Sequence, residues 1–239
     1  MKRYLSVFEM ITRSSIYKVL LILATMVVTE MAFFYHTMQV SNEISIEGYI
    51  EECPYSWIFR VAYLLITIVI VLPGMNIGSV QSYTLKRLSI KESRVFWLQA
   101  LYNLLAYVLL WGTQLVVLLV SITIYLKNLP AGAVITNQTM FLAFYRNEFM
   151  HTILPLEDVP GWTILALIAI TGALATATFS KIQRSGKFGF ELLILAAATV
   201  LYIPRPLGYD ISFIVVAIGM VNIIMVIRWI SSRLEGNKS

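Results

Sequence analysis

Gln81-Ser-Tyr-Thr-Leu-Lys-Arg-Leu-Ser-Ile-Lys-Glu-Ser-Arg-Val95 is a short basic stretch between two long apolar runs. Lys86, Arg87, Lys91 and Arg94 stand here against the single acid Glu92. Loops that stay on the cytoplasmic side of a membrane carry an excess of Lys and Arg, so this charge balance places the stretch on the inner face. The apolar runs on either side then become membrane spans leading away from it, and the fold class follows.

Composition supports that assignment. The chain has 239 residues, of which 59% are hydrophobic and 13% charged. A soluble globule needs more polar surface than this, whereas several nearly uncharged runs approach bilayer length. The net charge of +5 invites a nucleic-acid reading. The basic residues are dispersed between apolar runs, however, leaving no basic helix or aromatic platform for nucleic acid. The lone cysteine, Cys53, permits no internal disulfide and lies in no metal-ligand spacing, so it reads as a free structural thiol.

Working outward toward the N-terminus, a second span is expected over residues 61–80 and a first over 19–36. Between them, residues 40–57 form an outward loop holding Glu43, Glu47, Glu51 and Glu52. Glu30 is the only charge inside the first span, and its place in the outer half predicts that it reaches the interface. Residues 1–15 lack the apolar core of a cleavable signal. As a helix they set Tyr4, Val7, Phe8 and Ile11 opposite Ser6, Glu9 and Arg13, the pattern of an amphipathic helix lying along the inner membrane surface. The alternative is an extension of the first span.

Toward the C-terminus, the apolar pattern 96–126 exceeds one crossing, so the third span is expected over 104–126, with Phe96, Trp97 and Tyr102 near the boundary. Gln99, Asn103 and Gln114 recur near the turn spacing, suited to hydrogen bonds between helices or to a polar path. Residues 127–160 face outward and are too apolar for a solvated loop, which predicts one or two short interfacial or re-entrant helices. His151 near Glu157 and Asp158 reads as a polar cluster, the spacing not being that of a zinc helix. A fourth span over 161–180 is rich in small residues, Gly172, Ala173, Ala175 and Ala177, as in a closely packed helix. Spans over 188–203 and 211–227, joined by a tight outward turn, complete six; the alternative there is a hairpin re-entering from the inside, which leaves the same end orientation.

The basic residues at 2, 3, 13 and 18, at 86, 87, 91 and 94, at 181, 184 and 187, and at 228, 233 and 238 all fall inside on this plan. Only Arg60, Lys127, Arg146 and Arg205 fall outside. The expectation is a single all-α, polytopic membrane domain in the cytoplasmic membrane, with six spans and both termini cytoplasmic.

No phosphate-binding Gly-x-x-x-x-Gly-Lys loop, zinc-protease motif or nucleophile elbow is present, and the two histidines offer little general-base chemistry. The chain is expected not to be an enzyme and to need no cofactor or metal. Glu191 is a carboxylate within the fifth span, either paired near Lys187 or a proton carrier, and with Glu30 it forms the candidate intramembrane polar site.

The run Tyr83-Thr84-Leu85-Lys86-Arg87-Leu88-Ser89-Ile90-Lys91-Glu92-Ser93-Arg94 resembles the cytoplasmic connection between the second and third spans in permeases of the ABC-2 exporter class. The resemblance extends to an amphipathic N-terminal helix and six spans. It implies a permease that forms a translocation path with a second permease subunit, alike or different, and is powered by a separate ATP-binding subunit. Leu85, Lys86, Arg87, Leu88 and Ile90 would then form the coupling surface. The plan departs from that family in placing its long apolar outward segment after the third span. An amphiphilic peptide or lipid suits the apolar spans as substrate. Two other functions fit the residues: an accessory subunit stabilising another transporter, and a small proton-coupled transporter using Glu191 or Glu30.

Overall fold

The computed structural model describes residues 2–40, 45–75, 92–128 and 137–184, with 216, 217, 219–221, 223 and 224. Every secondary-structure element among them is helical: α1 (Lys2–Val40), α2 (Ile46–Glu52), α3 (Tyr55–Met75), α4 (Glu92–Lys127), α5 (Asn137–Arg146), α6 (Glu148–Ile153) and α7 (Val159–Arg184). Ser15–Val40, Ser93–Lys127 and Val159–Ile182 are each long and apolar enough to cross a membrane. A fourth candidate is made by Ile46–Glu52 and Tyr55–Val71, bent by 51°. The expected spans 188–203 and 211–227 lie almost wholly outside the described residues. Their neighbourhood enters only through Val216, packed against Ile164 and Ile168, and Gly219, whose absent Cβ would lie 3.1 Å from Leu167 and Thr171 of α7.

α1 differs from expectation. No Pro or Gly occurs before Gly48, so nothing interrupts the helix, and the amphipathic segment is continuous with the first span. Phe8 lies edge-on to Tyr102 of α4, their ring centroids 6.4 Å apart, so this end of α1 follows the protein. The separate surface helix expected over residues 1–15 gives way to the extension.

The loop expected over residues 40–57 contains α2. Ser45 caps it by accepting from the Gly48 amide at 3.2 Å, and Ile46 and Ile50 are buried. At Cys53-Pro54 the chain turns, because proline disfavours a helical conformation in the residue before it. α3 then starts at Tyr55, six residues before the expected 61. Arg60 consequently lies in its second turn, with the guanidinium 4.4 Å from the centroid of the Trp57 ring.

α4 is unbroken over 36 residues. Phe96 and Tyr102, expected at the membrane boundary, are buried in the protein, while Trp97 is exposed. The apolar outward segment forms α5 and α6. Asn147 separates them, capping α6 by accepting from the Met150 amide and donating to the Glu47 carbonyl at 3.4 Å.

Helix directions follow from paired contacts. Ser15 meets Tyr102 and Glu30 meets Gln114, so α1 and α4 run parallel. Tyr55 meets Ser121 and Thr67 meets Tyr107, which sets α3 antiparallel to α4. Thr176 meets Asn103 and Trp162 meets Trp111, which does the same for α7. The core lies among these four helices, with α4 packed against the other three.

Candidate functional site

Buried polar side chains recur along α4 at Gln99, Asn103, Tyr107, Gln114 and Ser121. Gln99 to Ser121 covers about 33 Å at 1.5 Å per residue, close to the thickness of a hydrocarbon core. An unsatisfied polar group at such depth costs several kcal/mol, so the informative question is what each one bonds to.

At the α7 side, Asn103 Nδ2 donates to Thr176 Oγ1 at 2.8 Å and approaches the Ala173 carbonyl at 3.5 Å. The Thr176 hydroxyl in turn donates to Gly172 and Ala173 of its own helix. Against α3, the Thr67 hydroxyl donates to the Tyr63 carbonyl at 2.8 Å, leaving its oxygen to accept from Tyr107 at 2.9 Å. Tyr63 and Tyr107 stack with centroids 5.1 Å apart. Gly172 makes room for this pair: a Cβ there would lie 3.3 Å from both Tyr107 and the Tyr63 hydroxyl. The small-residue run of α7 is thus a close packing surface, as its composition predicts.

The α1 side differs. Gln114 Nε2 donates to Glu30 Oε2 at 3.0 Å, and both side chains are 0% exposed. Glu30 therefore does not reach the interface. α1 continues to Val40, four residues beyond the expected end, which puts Glu30 ten residues, or about 15 Å, from its terminus. An ionised carboxylate in mid-span costs on the order of 3 kcal/mol before compensation. The other oxygens, Glu30 Oε1 and Gln114 Oε1, are buried and accept no hydrogen bond. Next to this contact, Val27 and Met31 of α1 and Gly112, Thr113 and Val116 of α4 line an apolar groove of about 580 Å³. Further along α4, the Tyr55 and Ser121 hydroxyls lie 2.8 Å apart.

A polar pocket of about 390 Å³ lies where α2 and α3 meet α5 and α6, lined by Glu51, Ser56, Arg60, Arg146, Asn147 and Glu148 among others. Arg60 Nε is buried there without a hydrogen-bond partner, and Arg146 lies 4.0 Å from Glu47. Trp57, Phe141 and Tyr145 are exposed nearby in the chain. The His151 ring packs against Tyr145 at 5.6 Å. No group of three potential metal ligands occurs among the described residues.

Of the sequence-predicted site residues, Glu30 alone falls in the described structure. Leu85, Lys86, Arg87, Leu88 and Ile90 lie outside the described residues, as does Glu191. Asn103 and Gln114 make the interhelical bonds their spacing suggests. Tyr55, Thr67, Tyr107, Ser121 and Thr176 were not singled out in sequence; their signal is a hydroxyl inside an otherwise apolar run. No protein-family model, no curated protein and no solved structure matches this chain.

Proposed function

We propose that this chain is the permease subunit of an ATP-driven exporter resembling the ABC-2 class, with six spans in the cytoplasmic membrane and both termini inside. It forms the translocation path with a second permease subunit and takes its energy from a separate ATP-binding subunit. The observation that carries this reading is the alternation of helix direction. With α1 and α4 parallel and α3 and α7 opposed, the start of α1, the end of α3, the start of α4 and the end of α7 share one end of the bundle. The basic residues Lys2, Arg3 and Arg13, the connection holding Lys86, Arg87 and Lys91, and Lys181 and Arg184 belong to those ends. A membrane domain that gathers its positive charge at one end presents that end to the cytoplasm and to a soluble motor.

At the opposite end lies the polar pocket of Arg60 and Arg146 with exposed aromatics on its flanking elements. That combination suits an amphiphile, whose head needs polar contacts and whose tail needs apolar ones. The substrate class proposed is therefore an amphiphilic peptide or lipid.

The test is copurification of the detergent-extracted chain, followed by Leu85→Asp with Leu88→Asp. An ATPase is expected to accompany the wild type and to be lost from the double variant while the membrane domain stays folded. Labelling of single cysteines at residues 86–94 from the outer face alone would overturn the proposal, because no nucleotide-driven motor reaches that side.

A further inference from the structure

Glu30 and Gln114 share one hydrogen bond, and each retains a buried oxygen with no donor. With Glu30 ionised, two carboxylate oxygens and the Gln114 amide oxygen share a single observed hydrogen bond, and both side chains are fully buried. Among the described residues no Lys or Arg pairs with Glu30; Gln114 is its hydrogen-bond partner. The helices packed against Glu30 offer no compensating charge among their described residues. α4 has none between Arg94 and Lys127, and Arg60, the only charge on α3, sits over Trp57. From the α2–α3 corner, Cys53 and Tyr55 lie within electrostatic reach of Glu30. Their hydrogens have other uses: the Cys53 thiol donates to Thr37 at 3.3 Å, and the Tyr55 hydroxyl pairs with Ser121. The charged residues of α2, Glu47, Glu51 and Glu52, are all acidic and cannot neutralise a carboxylate.

One proton answers both unpartnered oxygens at once. Placed on Glu30 Oε1, it supplies an O–H for which Gln114 Oε1 is an acceptor without a donor, while Gln114 Nε2 continues to donate to Oε2. The result is the closed, two-hydrogen-bond pairing of a carboxylic acid with a primary amide. We propose that Glu30 and Gln114 form a proton-binding site within the membrane domain, occupied when α1 lies against α4.

Binding transfers a proton from hydronium to the carboxylate and leaves water; release is the reverse, with nothing oxidised or reduced. Without the proton, Glu30 Oε1 and Gln114 Oε1 both stay buried without a donor, so deprotonation favours parting of α1 from α4 or entry of water between them. The site is independent of which reaction the chain serves, and it would operate equally beside an ATP-driven partner.

The test uses the full chain in lipid vesicles at neutral pH. A membrane-soluble carbodiimide, which adds to protonated carboxyls, is expected to modify Glu30, read from the mass of the fragment carrying it. Infrared difference spectra should show the carbonyl stretch of a protonated acid in the wild type and its loss in Glu30→Gln. Gln114→Leu should keep that band and move it toward the position of an unbonded acid. No modification of Glu30, together with loss of a carboxylate band rather than an acid band in Glu30→Gln, would overturn protonation. A band unmoved by Gln114→Leu would overturn the pairing. Should Glu30→Gln fail to fold, labelling of the wild type and the Gln114→Leu shift still decide both points.

Discussion

The two sides of α4 are built differently. Toward α7, glycine and alanine bring backbones together, Gly172 sits against two stacked tyrosines, and Asn103 reaches directly across to Thr176. Toward α1, larger side chains leave a groove, a Cβ on Gly112 would meet nothing within 4 Å, and the polar contact is an acid beside an amide with oxygens to spare. Small residues and neutral side chains make a close joint, even though Asn103 Oδ1, like the oxygens on the α1 side, is buried without a partner. A loosely lined seam around an ionisable group makes one whose stability depends on a proton. The contrast separates the fixed part of this domain from the part suited to change.

Crowding the α7 side should have the largest effect. Leucine at position 172 would drive its branch into the Tyr63–Tyr107 stack, and overpacking of this kind costs up to about 3 kcal/mol. The Gly172→Leu protein should show that loss in the midpoint of denaturant unfolding in bicelles, and a change of only a few tenths would mean that the joint is not tight. Asn103→Leu should cost less, about 1 kcal/mol by the same measurement, because interhelical hydrogen bonds in membranes are modest and Thr176 keeps its bonds to its own helix. The smallest effect, and of opposite sign, is expected at Gly112→Ala. Open space accepts the methyl, and replacing glycine in a helix should raise stability by about 0.5–1 kcal/mol. Destabilisation there would show that something packs into the groove and would erase the contrast.

Much of this arrangement was legible in the sequence, for physical reasons that also mark where legibility stopped. Helix content and the approximate places of α1, α3, α4 and α7 follow from apolar runs punctuated by charge. Asn103 and Gln114 stood out because amides are rare in such runs and these recur at helical spacing. Their pairing with Thr176 and Glu30 has no sequence signal, since these lie 73 and 84 residues away and nothing local links them. Glu30 was expected at the interface because the helix end was judged from hydropathy at His36. A helix without proline or glycine continues through polar residues, and α1 does so to Val40. Arg60 stands just before the span expected at 61 yet lies within α3, its guanidinium over the Trp57 ring. The pocket between α2, α3, α5 and α6 had no sequence signal, since it arises from four short pieces meeting.

The uninterrupted length of α4 has a mechanical corollary. From Glu92 to Asn103 is about 16 Å along the axis and from Asn103 to Tyr125 about 33 Å. Were α4 to tilt as one rod about its contact with α7 near Asn103, its arms would stand in a ratio of roughly one to two. An ångström of sideways push at its Glu92 end would then emerge as about two at Tyr125, a wider displacement at the far rim of the domain.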